Sequence, residues 1–174
     1  GYDFIGICYD DATLDTLFRA DNNNKFRTSP SVLKTDSGYV IMAGSEDDSM
    51  YGISSSGEVL FQVETDGNVR SSASFVNIDG VAYAFFGSSE GFLYAVDMEG
   101  NNLEGWPKEI GESVDNSVSF ADLDGDGEPE AIIGISGKVY AYHMDGALYD
   151  RFPISYEFSL TSAPLIIDLD GDND

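Results

Sequence analysis

Basic side chains are scarce in this sequence, and their scarcity limits the partners that it can bind. Eight Lys and Arg residues face 32 Asp and Glu residues, so the net charge is −24 at pH 7. Nucleic acids and anionic membrane surfaces are poor partners for such an acidic protein, because its long-range field repels them. Metal cations, basic proteins and neutral glycans stay open as partners.

Cysteine and histidine occur once each, which removes most of the usual catalytic and zinc-binding arrangements. Cys8, within the apolar run 4–9, allows neither an internal disulfide nor a Cys-x-x-Cys pattern, and we expect it to be a small core residue. No histidine cluster, Ser–His–Asp order or Gly-rich phosphate loop is present. His143 falls near a predicted turn, where we expect it to point outward into solvent. The sequence therefore predicts a protein that is not an enzyme.

Long apolar runs and helical periodicity are also nearly absent. No stretch approaches the about 18 apolar residues that a membrane helix needs, and no basic and apolar leader precedes the first predicted strand, although one could have been lost. Short runs rich in Val, Ile, Phe and Tyr recur instead, separated by Gly, Ser, Asn and Asp. With 42% hydrophobic and 13% aromatic residues, this pattern predicts a folded all-β protein with tight turns and no membrane insertion.

A repeat runs through the chain, marked by two residue types that keep one spacing. The markers are Gly44, Gly87 and Gly134, which are 43 and 47 residues apart, and Tyr51, Tyr94 and Tyr140, which are 43 and 46 apart. Each unit holds a β run that ends near the glycine, a polar turn, a second run with the tyrosine, and a third run; another run precedes it. Four-stranded antiparallel blades of roughly 45 residues are the building units of a β-propeller.

The repeat divides the chain into one partial blade, three complete blades and the start of another. Residues 1–28 are predicted to supply the last three strands of one blade. Complete blades are predicted at 29–70, 71–115 and 116–160, and a first strand with its acidic loop at 161–174. Because the sequence stops inside that loop, we expect a fragment of a larger propeller; a closed ring of four blades is the alternative.

An acidic loop lies between two predicted strands of the third complete unit. Counted from Asp122 as position 1, three further carboxylates stand at positions 3, 5 and 9: those of Asp124, Asp126 and Glu130. Glu128, at position 7, can offer its backbone carbonyl. Gly125 and Gly127 permit the turns between them. Hard oxygen donors in a flexible loop favour Ca²⁺ with six to eight ligands, and zinc is disfavoured without Cys or His. An acidic turn without an ion is the alternative.

An EF-hand does not fit this loop, although the spacing overlaps. An EF-hand needs a bidentate glutamate at position 12 and two flanking helices, whereas position 12 is Ile133 and both flanks are β-like.

A second copy of the loop begins at Asp168, Asp170 and Asp172, at positions 1, 3 and 5, and stops before position 9. Calcium binding there would need further ligands. The equivalent segments 34–38 and 77–81 keep one aspartate each, and we expect them to be ordinary turns.

The combination of a β run, the motif DxDGDGxxE, a second β run ending in Gly, and a Gly-Trp-Pro at 105–107 resembles the FG-GAP or VCBS type of repeat. Such repeats occur in the integrin α-subunit propeller and in bacterial secreted and surface proteins. The full motif stands only at 121–142 and half of it at 167–174. The resemblance implies a propeller whose loop binds calcium through Asp122, Asp124, Asp126 and Glu130. The first two units depart from the motif and resemble quinoprotein-like blades.

Together these features predict a calcium-binding propeller module of a secreted or cell-surface protein, which binds a protein or carbohydrate ligand in adhesion. Calcium would neutralise the loop and stiffen one face of the ring, at the weak affinities of extracellular modules. Two other functions stay open. The propeller could be the scaffold of a secreted enzyme, such as a polysaccharide lyase or a quinoprotein, or a self-associating segment of a surface filament or layer.

Overall fold

Every regular element that the structure describes is a β-strand. The computed structural model describes the backbone of residues 4–10, 13–20 and 25–167, and the side chains of residues 25–167. Within these ranges no helix is long and apolar enough to cross a membrane. The all-β prediction is confirmed.

The strands pair with their neighbours along the chain. They are β1 (Phe4–Asp10), β2 (Thr13–Ala20), β3 (Ser31–Thr35), β4 (Gly38–Ser45), β5 (Ser49–Ser54), β6 (Val59–Glu64), β7 (Ser74–Ile78), β8 (Val81–Gly87), β9 (Phe92–Val96), β10 (Lys108–Glu109), β11 (Ser119–Ala121), β12 (Glu130–Ile135), β13 (Lys138–Tyr142) and β14 (Ile154–Ser155). Strands β1 and β2 form an antiparallel pair. The remaining strands form three four-stranded antiparallel sheets, which we call the first (β3–β6), second (β7–β10) and third (β11–β14) sheets. The sheets lie inside the ranges predicted for the complete blades, whose boundaries stay a prediction.

Two tight hairpins show how the turn residues set the strand register. Strands β7 and β8 are joined by Asp79 and Gly80, with φ of 51° and 84°. Strands β12 and β13 are joined by Ser136 and Gly137, with φ of 46° and 85°. Positive φ at both central residues is the type I′ geometry, whose twist matches that of the flanking strands. The turn at Ser136 therefore fixes which residues of β12 and β13 face each other.

The connection between the first two strands is short in two sheets and long in the third. Residues 36–37 join β3 to β4, and residues 79–80 join β7 to β8. These two segments are ordinary turns, as predicted. In the third sheet residues 122–129, the acidic loop, join β11 to β12. The acidic loop therefore stands where the other two sheets have a two-residue turn.

The core consists of side chains packed between neighbouring sheets. Phe85 and Phe86 of β8 are both fully buried, although they are adjacent in sequence. Because successive side chains of a strand point to opposite faces, Phe85 packs with residues of the third sheet and Phe86 with residues of the first. Burial of each ring contributes roughly 1.5–3 kcal/mol. The second sheet is therefore stabilised from both faces, as a repeat that must stack on its neighbours requires.

Two of the repeated glycines allow the chain to pass close to the end of the second strand in the first and second sheets. A Cβ atom on Gly87 would lie 2.1 Å from Cγ1 and 2.4 Å from the carbonyl oxygen of Val114. One on Gly44 would lie 2.5 Å from Cγ1 of Val69. The amide of Gly87 also donates to Oγ of Ser71 at 2.6 Å. The spacing seen in the sequence thus reflects a close approach that recurs from sheet to sheet.

A serine hydroxyl links the first strand of one sheet to the chain segment that leads into the next. Ser31 Oγ donates to the carbonyl oxygen of Ala73 at 2.6 Å, just before β7. Ser119 Oγ donates to the carbonyl oxygen of Pro164, 45 residues later. Residues 163–167 therefore approach the third sheet where a further first strand would lie, but no strand is assigned to them.

Candidate metal centre

Asp122 organises the acidic loop around its own carboxylate. Its Oδ1 accepts the amide of Gly125 at 2.7 Å, and its Oδ2 accepts the amide of Gly127 at 2.9 Å. Both glycines have positive φ, 76° and 93°, which few other residues adopt without strain. The short polar side chain and the two glycines together fold residues 122–127 into a tight loop.

Asp124 and Asp126 continue the same pattern along the loop. The amide of Asp126 donates to Oδ1 of Asp124 at 3.2 Å, and the amide of Glu128 donates to Oδ1 of Asp126 at 2.8 Å. Asp122, Asp124 and Asp126 are exposed, and each places a carboxylate oxygen within 4.8 Å of the other two. Because each carboxylate has about four acceptor sites, the amide hydrogen bonds leave lone pairs for a cation.

Glu130, the first residue of β12, carries a buried carboxylate. It is only 1% exposed. Its Oε2 accepts the amide of Leu123 at 2.7 Å, and its Oε1 lies 3.1 Å from Nδ1 of His143. A buried carboxylate is costly unless it is paired, and these two contacts supply the pairing.

His143 is the partner that sequence reasoning missed: its side chain is partly exposed, as expected near a turn, but the contact with Glu130 was not predicted. Its side chain is 37% exposed and faces Glu130. In the register of β12 and β13, Ala131 is opposite Tyr142, so the next pair outward is Glu130 and His143. Counting outward from the two-residue turn at Ser136 would have predicted this contact.

The possible ligands fall into two overlapping groups. One contains Asp122, Asp124 and Asp126, and the other contains Asp124, Glu130 and His143; within each, the ligand atoms lie within 4.8 Å of one another. The structure thus brings together four of the predicted carboxylates, and Asp124 belongs to both groups. The carboxylate of Glu128 is in neither, and the predicted role of its backbone carbonyl stays a prediction. The predicted ligands Asp168, Asp170 and Asp172 lie outside the described residues.

The potential at this site is strongly negative. The Tyr149 ring lies 5.0 Å from the His143 ring, centroid to centroid. Burial raises the pKa of the Tyr149 hydroxyl, and nearby negative charges raise it further; they belong to Asp124, Glu130, Asp150 and Asp122. The same charges attract a cation.

A cleft of about 510 Å³ lies between the first and second sheets, away from the acidic loop. Its walls are mixed: Leu33, Phe75 and Val81 are apolar, whereas Asp36 and Glu99 are charged. The turns at 36–37 and 79–80 border it, and they are equivalent to the acidic loop of the third sheet. The cleft and the loop are therefore at the same end of their sheets.

Comparisons with known proteins identify the fold. No protein-family model and no curated protein matches the chain. Among solved structures, the computationally designed Ika4 protein is 13% identical with a TM-score of 0.59, over 85% of this chain and 83% of that one. BamB from Moraxella catarrhalis is 14% identical with a TM-score of 0.59, over 87% of this chain and 48% of that one. BBS1N, solved in complex with ARL6DN, is 12% identical with a TM-score of 0.57, over 82% of this chain and 43% of that one.

The fold is that of a β-propeller. The three structures are β-propeller-like proteins, and at such low identity the likeness concerns the fold alone. The chain spans less than half the length of the BamB and BBS1N chains. The three sheets are accordingly blades, and the propeller prediction is confirmed.

Proposed function

We propose that this chain is a calcium-binding β-propeller module of the FG-GAP or VCBS type, from a secreted or cell-surface protein, and that it binds a protein or glycan rather than catalysing a reaction. The observation that carries the proposal is the convergence of the Asp122, Asp124 and Asp126 carboxylates in one loop. Three charges of one sign at this distance repel one another, and a bound cation would remove the repulsion.

Calcium is the cation that this group of ligands favours. All three side chains offer oxygen, and Ca²⁺ takes six to eight oxygen ligands in flexible geometry. The carboxylates are exposed, so backbone carbonyls and water can complete the shell. Mg²⁺ demands a smaller octahedral set and keeps several waters.

The place of the loop in the propeller suggests what calcium does for binding. The loop and the cleft between the first two sheets are at the same end of the blades. Calcium would hold the third blade's loop rigid at the end where a partner can reach the cleft, whose walls are partly apolar and partly charged. A weak site of this kind is occupied at extracellular calcium concentrations, of the order of 10⁻³ M, which is the basis for proposing an extracellular location.

Thermal unfolding in EDTA and in a calcium series, with magnesium as the control ion, tests the proposal. At a calcium concentration 100 times the Kd, binding adds about 2.7 kcal/mol of stability, which raises Tm by roughly 5–10 °C in a chain of this size. Asp126→Asn should remove most of that rise, because it removes a charge but keeps the oxygen that accepts the Glu128 amide. Asp36→Asn, in the equivalent turn of the first blade, is the matched control and should keep it. A wild-type Tm that does not respond to calcium would overturn the calcium site.

Self-association in a filament or layer is a second candidate function, favoured by exposed apolar side chains near the third blade. Tyr156, Phe158, Leu165 and Ile167 are 46%, 62%, 89% and 64% exposed. Such a group often marks an interaction surface. Sedimentation velocity across a concentration series tests this candidate: reversible oligomers would support assembly, whereas a monomer at all concentrations would contradict it.

A further inference from the structure

His143 gives the acidic loop a nitrogen donor that an oxygen-only calcium site does not use. We propose that Asp124, Glu130 and His143 form a second cation position, which binds a divalent transition metal of the Zn²⁺ type. It shares Asp124 with the calcium position but does not require calcium to bind there, so the inference goes beyond the proposed function.

The distance between Glu130 and His143 fits two ligands of one small divalent ion. Nδ1 of His143 lies 3.1 Å from Oε1 of Glu130. With metal–nitrogen and metal–oxygen bonds of about 2.1 Å, that separation corresponds to an angle of about 95° at the metal, which is close to that of neighbouring ligands in common coordination geometries. Asp124 places a third ligand atom within 4.8 Å of both. An ion would therefore replace a hydrogen bond that is already in place.

The chemistry of the three ligands separates this position from the calcium position. Imidazole nitrogen suits Zn²⁺, Cu²⁺, Ni²⁺ and Co²⁺, and carboxylate oxygens are compatible with all of them. Ca²⁺ takes oxygen ligands and gains little from a nitrogen. The group of Asp122, Asp124 and Asp126 offers only oxygen. The two positions should therefore select different metals, although they share one aspartate.

The surrounding residues hold the ligands in place and leave a path to solvent. The amide of Leu123 donates to Oε2 of Glu130, which orients the buried carboxylate so that Oε1 faces His143. The Tyr149 ring lies against the imidazole. Hydrogen bonds of this kind around ligands raise metal affinity by fixing their orientation. The partly exposed imidazole and the exposed Asp124 form the open side, through which an ion can enter.

Titration of the full chain with Co²⁺, followed by its visible absorption, and competition by Zn²⁺ test the inference. Loss of a contact that only orients a ligand costs about 10–100-fold in metal affinity. Loss of a ligand should cost at least as much. His143→Asn, which removes a ligand but keeps a hydrogen-bond donor for Glu130, should therefore weaken Co²⁺ binding by about 10-fold or more. Asp126→Asn should retain Co²⁺ binding and lose calcium binding. Asp150→Asn removes a nearby negative charge outside both groups, so it should weaken both affinities only slightly and to a similar extent.

Equal Co²⁺ affinity in the wild type and His143→Asn would overturn the inference, whatever calcium does. Calcium binding without Co²⁺ binding would also overturn it and would leave the proposed function intact. Co²⁺ binding that depends on His143, in a protein that ignores calcium, would support it while the calcium proposal fails.

A second measurement does not depend on any variant. His143 is the only histidine of the chain, so the imidazole nitrogen signals of the wild type can be assigned without ambiguity. Zn²⁺ should shift the Nδ1 signal strongly and Nε2 less. An imidazole spectrum that Zn²⁺ leaves unchanged would overturn the inference.

Discussion

The indole Nε1 of Trp106 donates a 2.8 Å hydrogen bond to the carbonyl oxygen of Met144. Trp106 belongs to the second blade and is buried, and Met144 follows His143 directly in the third. The bond therefore fastens the turn beside the candidate metal centre to the neighbouring blade. Trp106 is therefore a packing residue between two blades.

Trp106→Phe should destabilise the propeller by about 1–3 kcal/mol, because it leaves the buried Met144 carbonyl without its donor. The aromatic contacts with Phe85 and Tyr142, at 4.9 and 5.8 Å between ring centroids, can persist in part. Urea unfolding followed by circular dichroism measures the change. A midpoint equal to that of the wild type would show that the bond contributes nothing net.

Gly87→Ala and Gly134→Ala form a matched pair at equivalent positions of two blades. The new Cβ at 87 would overlap the backbone carbonyl of Val114, so the chain must shift, at a cost of about 1–3 kcal/mol or more. At 134 the nearest atom would be Cδ1 of Leu160, at 3.2 Å, and this side chain can move. Gly134→Ala should change stability by less than about 1 kcal/mol. Similar unfolding free energies for both variants would contradict the close-approach explanation.

Stability should fall at alkaline pH, in part through Tyr94. Burial raises the pKa of the Tyr94 hydroxyl; the backbone amide of Asp66 lowers it, the Asp66 carboxylate raises it, and the net shift of the pKa is upward. Since the folded state holds the proton more tightly than the unfolded state, the contribution is complete below the usual tyrosine pKa of about 10 and is lost as pH rises above it.

Unfolding free energies at pH 8, 10 and 11 measure this decline, and Tyr94→Phe should reduce it. A decline that is equally steep in Tyr94→Phe would assign the effect to other groups. One candidate is Tyr142, whose hydroxyl pKa is also raised by burial.

Asp97 should make the second blade sensitive to acid. Burial raises the pKa of its carboxyl group, but hydrogen bonds from the side chain of Asn101 and from backbone amides outweigh burial and lower it. A lowered pKa stabilises the fold above the usual value of about 3.9, and the contribution is lost as pH falls through the folded-state value. Asp97→Ala should lower Tm at pH 7 and flatten the decline of Tm between pH 5 and 3. Parallel profiles for wild type and variant would contradict this role.

The sequence allowed the sheets and most candidate ligands to be predicted, for physical reasons. Gly44 and Gly87 repeat because the first two blades need the same close approach, and such a constraint leaves a regular spacing in the sequence. The loop aspartates are close in sequence: Asp122, Asp124 and Asp126. Their convergence therefore depends on local turns, and the glycines at 125 and 127 indicate those turns in the sequence.

The contact of Glu130 with His143 depends instead on a strand register that spacing in the loop does not reveal. The division of the ligands into two groups depends on side-chain directions, which no local pattern encodes. Strand length is also not visible in the sequence: the outer strands β10 and β14 have two residues each, because only two residues of each pair with the neighbouring strand.

The serine links between blades carry a consequence for how such a chain can change over generations. Ser31 and Ser119 each donate to a backbone carbonyl, and a carbonyl is present whatever side chain follows in the next unit. A newly duplicated or exchanged unit could therefore join its neighbour without a matching mutation in the acceptor. The junction tolerates sequence change, so one copy could acquire an acidic loop with a histidine beside it while the others kept plain turns.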